Sequence, residues 1–276
     1  MSELSNHQPI GIFDSGIGGL TIAHAIVEAL PAENIIYFGD TAHLPYGDKS
    51  AETIKIYSMR IAELLLEHRC KLILIACNSA STAAYEAIRC WVGNRAIVMN
   101  VIDPVIAHLA TVQDKKIGLI GTRQTVHSKI YDKKIAAQNS SIQLVSHATN
   151  LLASAIEEFG DHPVTDSLIQ AYLSDSKFND IDALILACTH YPIIKNKISA
   201  FFERNIEIID ASTIVAADVK SKLEQKNLRQ LSSGAGIKHF YVSDYTDSFS
   251  KNAKRFFADA MLLEHYPLTE EMDIIA

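Results

Sequence analysis

The segment Leu72-Ile73-Leu74-Ile75-Ala76-Cys77-Asn78-Ser79-Ala80 decides the fold, because it has a second copy in the chain, Leu184-Ile185-Leu186-Ala187-Cys188-Thr189-His190-Tyr191-Pro192. Each copy is a short apolar run that ends in Ala-Cys and then turns polar. A run of that length, apolar on both sides of the chain, reads as a strand buried on both faces of a parallel sheet. A second pair precedes them: Ile10-Gly11-Ile12-Phe13-Asp14-Ser15-Gly16 and Ile117-Gly118-Leu119-Ile120-Gly121-Thr122-Arg123. Each member of that pair stands roughly 65 residues ahead of its cysteine, so one unit is used twice.

Working outward, further apolar runs rich in Ile, Val and Leu occur at Ile35 to Phe38, Ile97 to Met99, Ile142 to Val145, Ile206 to Ile209 and His239 to Val242. Together with Ile10 to Phe13, Leu72 to Ala76, Ile117 to Ile120 and Ala183 to Ala187 they are the expected strands. Between them lie stretches of helical spacing. Ile54, Tyr57, Ile61, Leu64 and Leu65, for example, fall on one face at helical period and are expected in the core. Alternation of strands and helices predicts an α/β protein of two pseudo-symmetric, doubly wound domains with mainly parallel sheets. In such sheets a ligand sits outside the carboxyl ends of the strands, and all four repeated polar segments lie at such ends. If the two halves face each other, Cys77 and Cys188 enter one cleft from opposite sides. The Gly- and Ser-containing stretch from Gln225 to Gly236 reads as a linker into a final strand and helix.

Composition narrows the function classes. The chain has 276 residues, 48% hydrophobic and 21% charged, which is enough for a substantial core and two domains. No apolar stretch reaches the length of a membrane span, and Met1 to Pro9 is polar rather than signal-like, so the expected location is the cytoplasm, with no membrane partner. Four cysteines without a CxxC spacing argue for reduced thiols rather than a disulfide framework. A net charge of -7 without a basic run opposes nucleic-acid binding.

Two equivalent thiols suit one chemistry in particular. Racemisation takes a proton from one face of a carbon and returns one to the other, so it needs two proton carriers about a central substrate. A thiolate is favoured at a helix N-terminus, and Asn78 and Ser79 after Cys77, or Thr189 and Pro192 after Cys188, predict such turns at both cysteines. A lone strand-end cysteine is ordinarily a small inert hydrophobe. The repeat argues otherwise for Cys77 and Cys188, whereas Cys70 and Cys90 lack it. Asp14 stands before Gly16-Ile17-Gly18-Gly19, a turn that exposes amides and lets a substrate come close. It is either a turn residue or a carboxylate that positions Cys77 or receives an ammonium. The spacing is neither GxGxxG nor GxxxxGK[ST], although Asp40 after the second strand keeps a dinucleotide site open. His190, two residues from Cys188, is either an exposed loop residue or an aid to proton transfer.

At these residues the chain resembles the glutamate racemases of the aspartate/glutamate racemase family. The shared segments are Phe13 to Leu20, Pro45-Tyr46-Gly47, Ala76 to Ser81, Gly121 to Val126, Ala187 to Pro192 and the closing Phe240 to Asp244, so the likeness covers nearly the whole chain. It implies residues 1–100 with 211–276 as one domain, 101–210 as the other, and the active site in the cleft between them. It further implies interconversion of L- and D-glutamate without a cofactor or metal, the D-isomer entering peptidoglycan. Cys77 and Cys188 are then the catalytic pair, Asp14 supporting the first and His190 the second, with Glu157 rather than Glu158 as a further acidic helper. Substrate-binding roles fall on Asp14, Ser15, Pro45, Tyr46, Gly47, Asn78, Ser79, Thr122, Thr125, Thr189 and His190. Ser79 stands where the family usually has Thr, and Ala187 where it commonly has Gly, which is expected to add bulk beside the site.

Other readings stay open at this point. A related racemase acting on aspartate or a hydantoin shares the same motifs. A cysteine hydrolase built on Cys188 and His190 would leave Cys77 unexplained. A noncatalytic ligand- or protein-binding module is the reading from another class. A zinc site lacks paired-ligand spacing. Glutamate is the expected partner, and a homodimer is admitted.

Overall fold

A computed structural model describes residues 4–112, 115–160, 162–202, 205–245 and 263–268. Its strands form two sheets. The larger contains β1 (Ile10–Asp14), β2 (Ile35–Gly39), β3 (Leu72–Ile75), β4 (Ile97–Asn100), β9 (Lys238–Val242) and β10 (Leu263–His265), in the order β10-β9-β2-β1-β3-β4. The smaller contains β5 (Lys116–Gly121), β6 (Gln143–Ala148), β7 (Ala183–Ala187) and β8 (Glu207–Ile209), in the order β6-β5-β7-β8. Every pairing in both is parallel. The run β2-β1-β3-β4 is matched step for step by β6-β5-β7-β8, so the sequence repeat is also a repeat of topology.

Register brings the repeated strand ends side by side. Phe13 pairs with Ile75, so Asp14 and, two residues past Ile75, Cys77 leave neighbouring strands at one edge. In the smaller sheet Gly121 pairs with Ala187, which sets Thr122 beside Cys188. Both places are switch points, where successive crossovers leave in opposite directions and open a crevice.

Helices α1 (Leu20–Ala29), α2 (Ala51–Glu67), α3 (Asn78–Val92), α4 (Ile102–Leu109), α5 (Arg123–His127), α6 (Ile130–Gln138), α7 (Leu152–Phe159), α8 (Pro163–Leu173), α9 (Lys195–Phe201) and α10 (Ala211–Gln225) cover the sheets. One apolar core runs between the halves. Ile10, Ile12, Leu72 and Leu74 of the larger sheet share a buried cluster with Ile117, Leu119, Ala183 and Ile185 of the smaller. The opposite face of each sheet has its own core, containing Cys77 in one case and Cys188 in the other. On α2 the expected apolar face is buried at Ile54, Ile61, Leu64 and Leu65, while Tyr57 is only half-buried and stacks on His43.

All nine expected strands are present, β6 running three residues past its expected end. The short β10 was not foreseen, because three residues carry no periodicity to detect. The expected closing helix lies outside the described residues. Local pattern also gave no sign of a buried ion pair, Lys71 Nζ to Glu33 Oε2 at 2.6 Å. Lys71 donates as well to the carbonyls of Asn6 and Leu228, and Glu33 accepts from the Gln230 amide. Burial pulls the Lys71 ammonium down, and Glu33 opposes that pull. Such a pair is costly to break on one side only, since the survivor is left charged and buried.

Candidate active site

The two strand-end crevices face each other and enclose one cleft. Its walls come from Ser15, Pro45, Tyr46, Gly47, Cys77, Asn78 and Ser79 on one side and from Thr122, Cys188, Thr189 and His190 on the other. Both sulfurs are almost wholly buried, and close enough for their charges to interact.

The supports of the two thiols differ. Cys77 is itself the N-cap of α3, so the unpaired amides of that first turn lie beside its sulfur. Its thiol nevertheless stays high, at about 12, because burial and the Asp14 carboxyl outweigh help from the Ala80 amide and from Ser15. The Sγ lies 3.8 Å from Ser15 Oγ. Cys188 departs from the expected helix start: a 3-10 turn at Tyr191–Ile194 follows it, and α9 begins only at Lys195. Pro192 does sit in the first positions of that 3-10 turn, but no long helix points its dipole at the sulfur. A histidine stands there instead, with His190 Nδ1 3.8 Å from Cys188 Sγ.

His190 is buried rather than a loop residue on the surface, and its Nε2 meets Glu157 Oε2 at 3.0 Å. Burial alone disfavours the charged ring, yet the contacts with Cys188 and Glu157 outweigh it and raise the imidazole well above its usual value. The neighbouring Glu158 is exposed. A raised histidine contributes its pairing energy in full below the unfolded value of about 6.5 and loses it as pH climbs through the folded value. Glu157→Gln is therefore expected to move His190 deprotonation to lower pH, and the stability loss with it. Imidazole NMR titration reads this directly, and an unmoved midpoint would rule Glu157 out as the group that holds the charge.

Asp14 is fully buried and does two things at once. Its Oδ1 accepts from the Gly16 amide at 2.9 Å, the turn role, and its Oδ2 accepts from Thr189 Oγ1 of the other half at 3.1 Å. Burial raises its carboxyl, and nearby His190 is foremost among the groups that pull it back. The glycine turn also serves the contact between the halves. A Cβ on Gly18 would lie 2.4 Å from Thr189 Oγ1 and 2.6 Å from His190 Nδ1, so what comes close there is the other half of the protein. Gly47 plays the same part against Thr122.

The hydroxyls form a chain across the cleft. Ser79 Oγ meets Thr122 Oγ1 at 2.9 Å, and Thr122 Oγ1 donates to Thr125 Oγ1 at 3.0 Å. Thr122 caps α5 by accepting from the Thr125 amide, so Thr125 is the capped residue, and it stands behind the cleft wall rather than in it. Asn78 takes a hydrogen bond from Tyr131 of α6 at 2.8 Å. The methyl of Ala187 lies in the central core, against Gly121, and adds no bulk to the cleft.

Asp40 answers the dinucleotide question. It is fully buried, accepts from Tyr46 Oη at 2.5 Å and Ser243 Oγ at 2.7 Å, and faces His43 Nδ1 at 2.8 Å. Its carboxylate holds the loop that contains Pro45-Tyr46-Gly47 and, being fully buried, presents no oxygen to a ribose. Tyr46 accordingly offers the cleft something other than its hydroxyl. Residues absent from the sequence expectation also line the cleft: Asp48, Arg123, Asn150, Ala153 and Ser154. The family-like segment Gly121 to Val126 already contained Arg123, the one signal that could have found it. Among the described residues no His, Cys, Asp and Glu group of metal-binding geometry occurs.

Comparison with known proteins agrees with this geometry. The family model of Asp/Glu/Hydantoin racemases matches residues 10–219. A glutamate racemase of Chlorobaculum parvum is 40% identical over 257 residues, 92% of this chain and 94% of that one. Another, from Neisseria meningitidis, is 38% identical over 95% of this chain and 97% of its own length. The crystal structure of the Francisella tularensis glutamate racemase in complex with D-glutamate superposes with a TM-score of 0.88 at 35% identity, covering 96% of this chain and 100% of that one. With that extent of match, and with a repeated cysteine from each half opening on a shared cleft, the chain belongs to the Asp/Glu/Hydantoin racemase family.

Proposed function

We propose that this chain is a glutamate racemase, an isomerase that interconverts L- and D-glutamate with Cys77 and Cys188 as proton carriers on opposite faces of the substrate. The observation that carries this reading is the pair of buried thiols, one from each half, on a single cleft. In one direction a thiolate takes the proton from Cα, leaving a planar carbanion, and the thiol across the cleft delivers its own proton to the far face. In the other direction the roles exchange. Cys77, held at about 12 without substrate, starts as the thiol. The Cys188 sulfur and Glu157 together hold the His190 imidazolium, which in turn stabilises negative charge beside Cys188.

Carboxylate recognition falls to the first turn of α3, where the amides after Cys77 and the side chains of Asn78 and Ser79 meet the cleft, with Thr189 opposite. A substrate ammonium beside Asp14 would offset that carboxyl, which adds to burial in keeping Cys77 protonated. The D-glutamate formed is a building block of peptidoglycan. The division into residues 1–100 with 211–276 and residues 101–210 is supported by β9 pairing with β2 and by α10 packing on α1. We place the enzyme in the cytoplasm, with no nucleic-acid or membrane partner and with a homodimer admitted; among the described residues no helix is long and apolar enough to cross a membrane.

Circular dichroism of purified protein with L-glutamate and no added cofactor tests the reading. The signal should decay to that of the racemate, faster than with L-aspartate. A flat trace, or a requirement for pyridoxal phosphate, would reject it. The opposition of the thiols has its own test, elimination from a glutamate analogue with a good β-leaving group, which needs only one base. Cys77→Ser should favour the L-analogue, through Cys188, and Cys188→Ser the D-analogue. The same preference in both variants would refute opposed bases.

A further inference from the structure

Asn78 and Ser79, the first two residues of α3, are each held by a side chain from the other half of the protein. Thr122 holds Ser79, as described above. Asn78 is held by Tyr131, whose buried phenol lies 2.8 Å from Asn78 Oδ1. Tyr131 reaches it because the chain breaks between α5 and α6 at Lys129, which has the left-handed backbone angle φ 57. Ser128 stitches that break by donating to the Thr125 carbonyl and accepting from the Ile130 amide. The same local geometry therefore aims both the Thr122 pair and the Tyr131 phenol at the start of α3.

A side-chain amide has an acceptor end and a donor end, and a half-turn exchanges them. A buried phenol whose one described partner is Oδ1 donates its proton there. With the amide reversed, the phenol would accept from Nδ2 and its own proton would be left without a partner in an apolar place. Oδ1 would then face the cleft. We infer that Tyr131 is a positioning residue: it fixes the Asn78 amide so that Nδ2, a hydrogen-bond donor, is presented to a carboxylate group of the substrate. This rests on the reading of the cleft as a glutamate site. It also makes binding depend on contact between the two halves, since the orienting group is on α6 of one half and the oriented one on α3 of the other.

The experiment is a double-mutant cycle of Tyr131→Phe with Asn78→Ala, read by KM and kcat for glutamate and by NMR of the side-chain amides. Tyr131→Phe removes one oxygen and should lower the melting temperature by no more than about 10 °C, leaving the protein folded at assay temperature. KM should rise about 5- to 30-fold, with a smaller change in kcat, as a charge-assisted hydrogen bond becomes available for only part of the time. In the Asn78→Ala background the same substitution should change KM less than 2-fold, since nothing is left to orient. A KM rise of equal size in both backgrounds, or an unchanged KM in the single variant, would overturn the inference. In ligand-free protein the Asn78 side-chain amide signal, assigned by its loss in Asn78→Ala, should shift in Tyr131→Phe. A signal that stays put also overturns the pairing. Failure of the wild type to racemise glutamate would fall on the substrate assignment, and the ligand-free spectra would still decide the pairing.

Discussion

Cys77→Ala and Cys188→Ala are each expected to cut racemisation of glutamate by about 10³-fold or more, in both directions, while leaving the fold intact. The size follows from the reaction: a proton must be taken and another delivered within one turnover, so loss of either carrier stops both halves. The Cys77→Ala/Cys188→Ala double variant should be scarcely worse than either single, because the thiols act as a unit and their effects do not add. The fold should survive because alanine keeps the apolar character of a site that is 6% exposed in each case. Turnover by circular dichroism and melting by far-UV signal separate the two outcomes. A folded single variant within tenfold of wild type would sink the two-thiol mechanism.

What the sequence made legible was periodic or repeated. Strands were found from apolar runs, and the repeat matched the strand end at Asp14 to Cys77 and the strand end at Thr122 to Cys188; that these ends leave adjacent strands is set by the register, which pairs Phe13 with Ile75 and Gly121 with Ala187. The asymmetry between the thiols was not legible. The 3-10 turn after Cys188 carries no local mark, and its first residue, Tyr191, is tied by its hydroxyl, 2.5 Å from Thr149 Oγ1, to a distant part of the chain. Asp40 looked like a ribose ligand because its position after β2 fits that pattern. Its actual partners are His43 and Tyr46 from the loop that follows and Ser243 just past β9, a strand that returns from near the end of the chain and closes the set. Tyr131 gave no signal at all: a tyrosine in a helix is ordinary until the residue it touches is known to line a cleft. In each case the missing information was a contact made across the fold, which no local pattern encodes.

Gly18 carries that point into a measurement, since its need is for space across the two halves and not for an unusual backbone angle. A methyl there would stand 2.4 Å from Thr189 Oγ1, 2.6 Å from His190 Nδ1 and 2.8 Å from His190 Cε1. None of these atoms is free to give way. Thr189 is committed to Asp14 at 3.1 Å, and His190 is pinned between Cys188 and Glu157. Gly18→Ala must therefore either part the two halves or turn His190 and Thr189 out of place. A displacement of about 1 Å at reacting groups is worth roughly 10²-fold in rate, so kcat should fall by about that factor in both directions. The His190 titration should move as well, because the contacts that hold its charge are the ones disturbed. Gly234→Ala is the control, since a methyl at that position meets nothing within 4 Å and should leave turnover alone. Wild-type kcat in Gly18→Ala would mean that the halves close with room to spare, and that the glycine turn serves the substrate rather than the contact between halves.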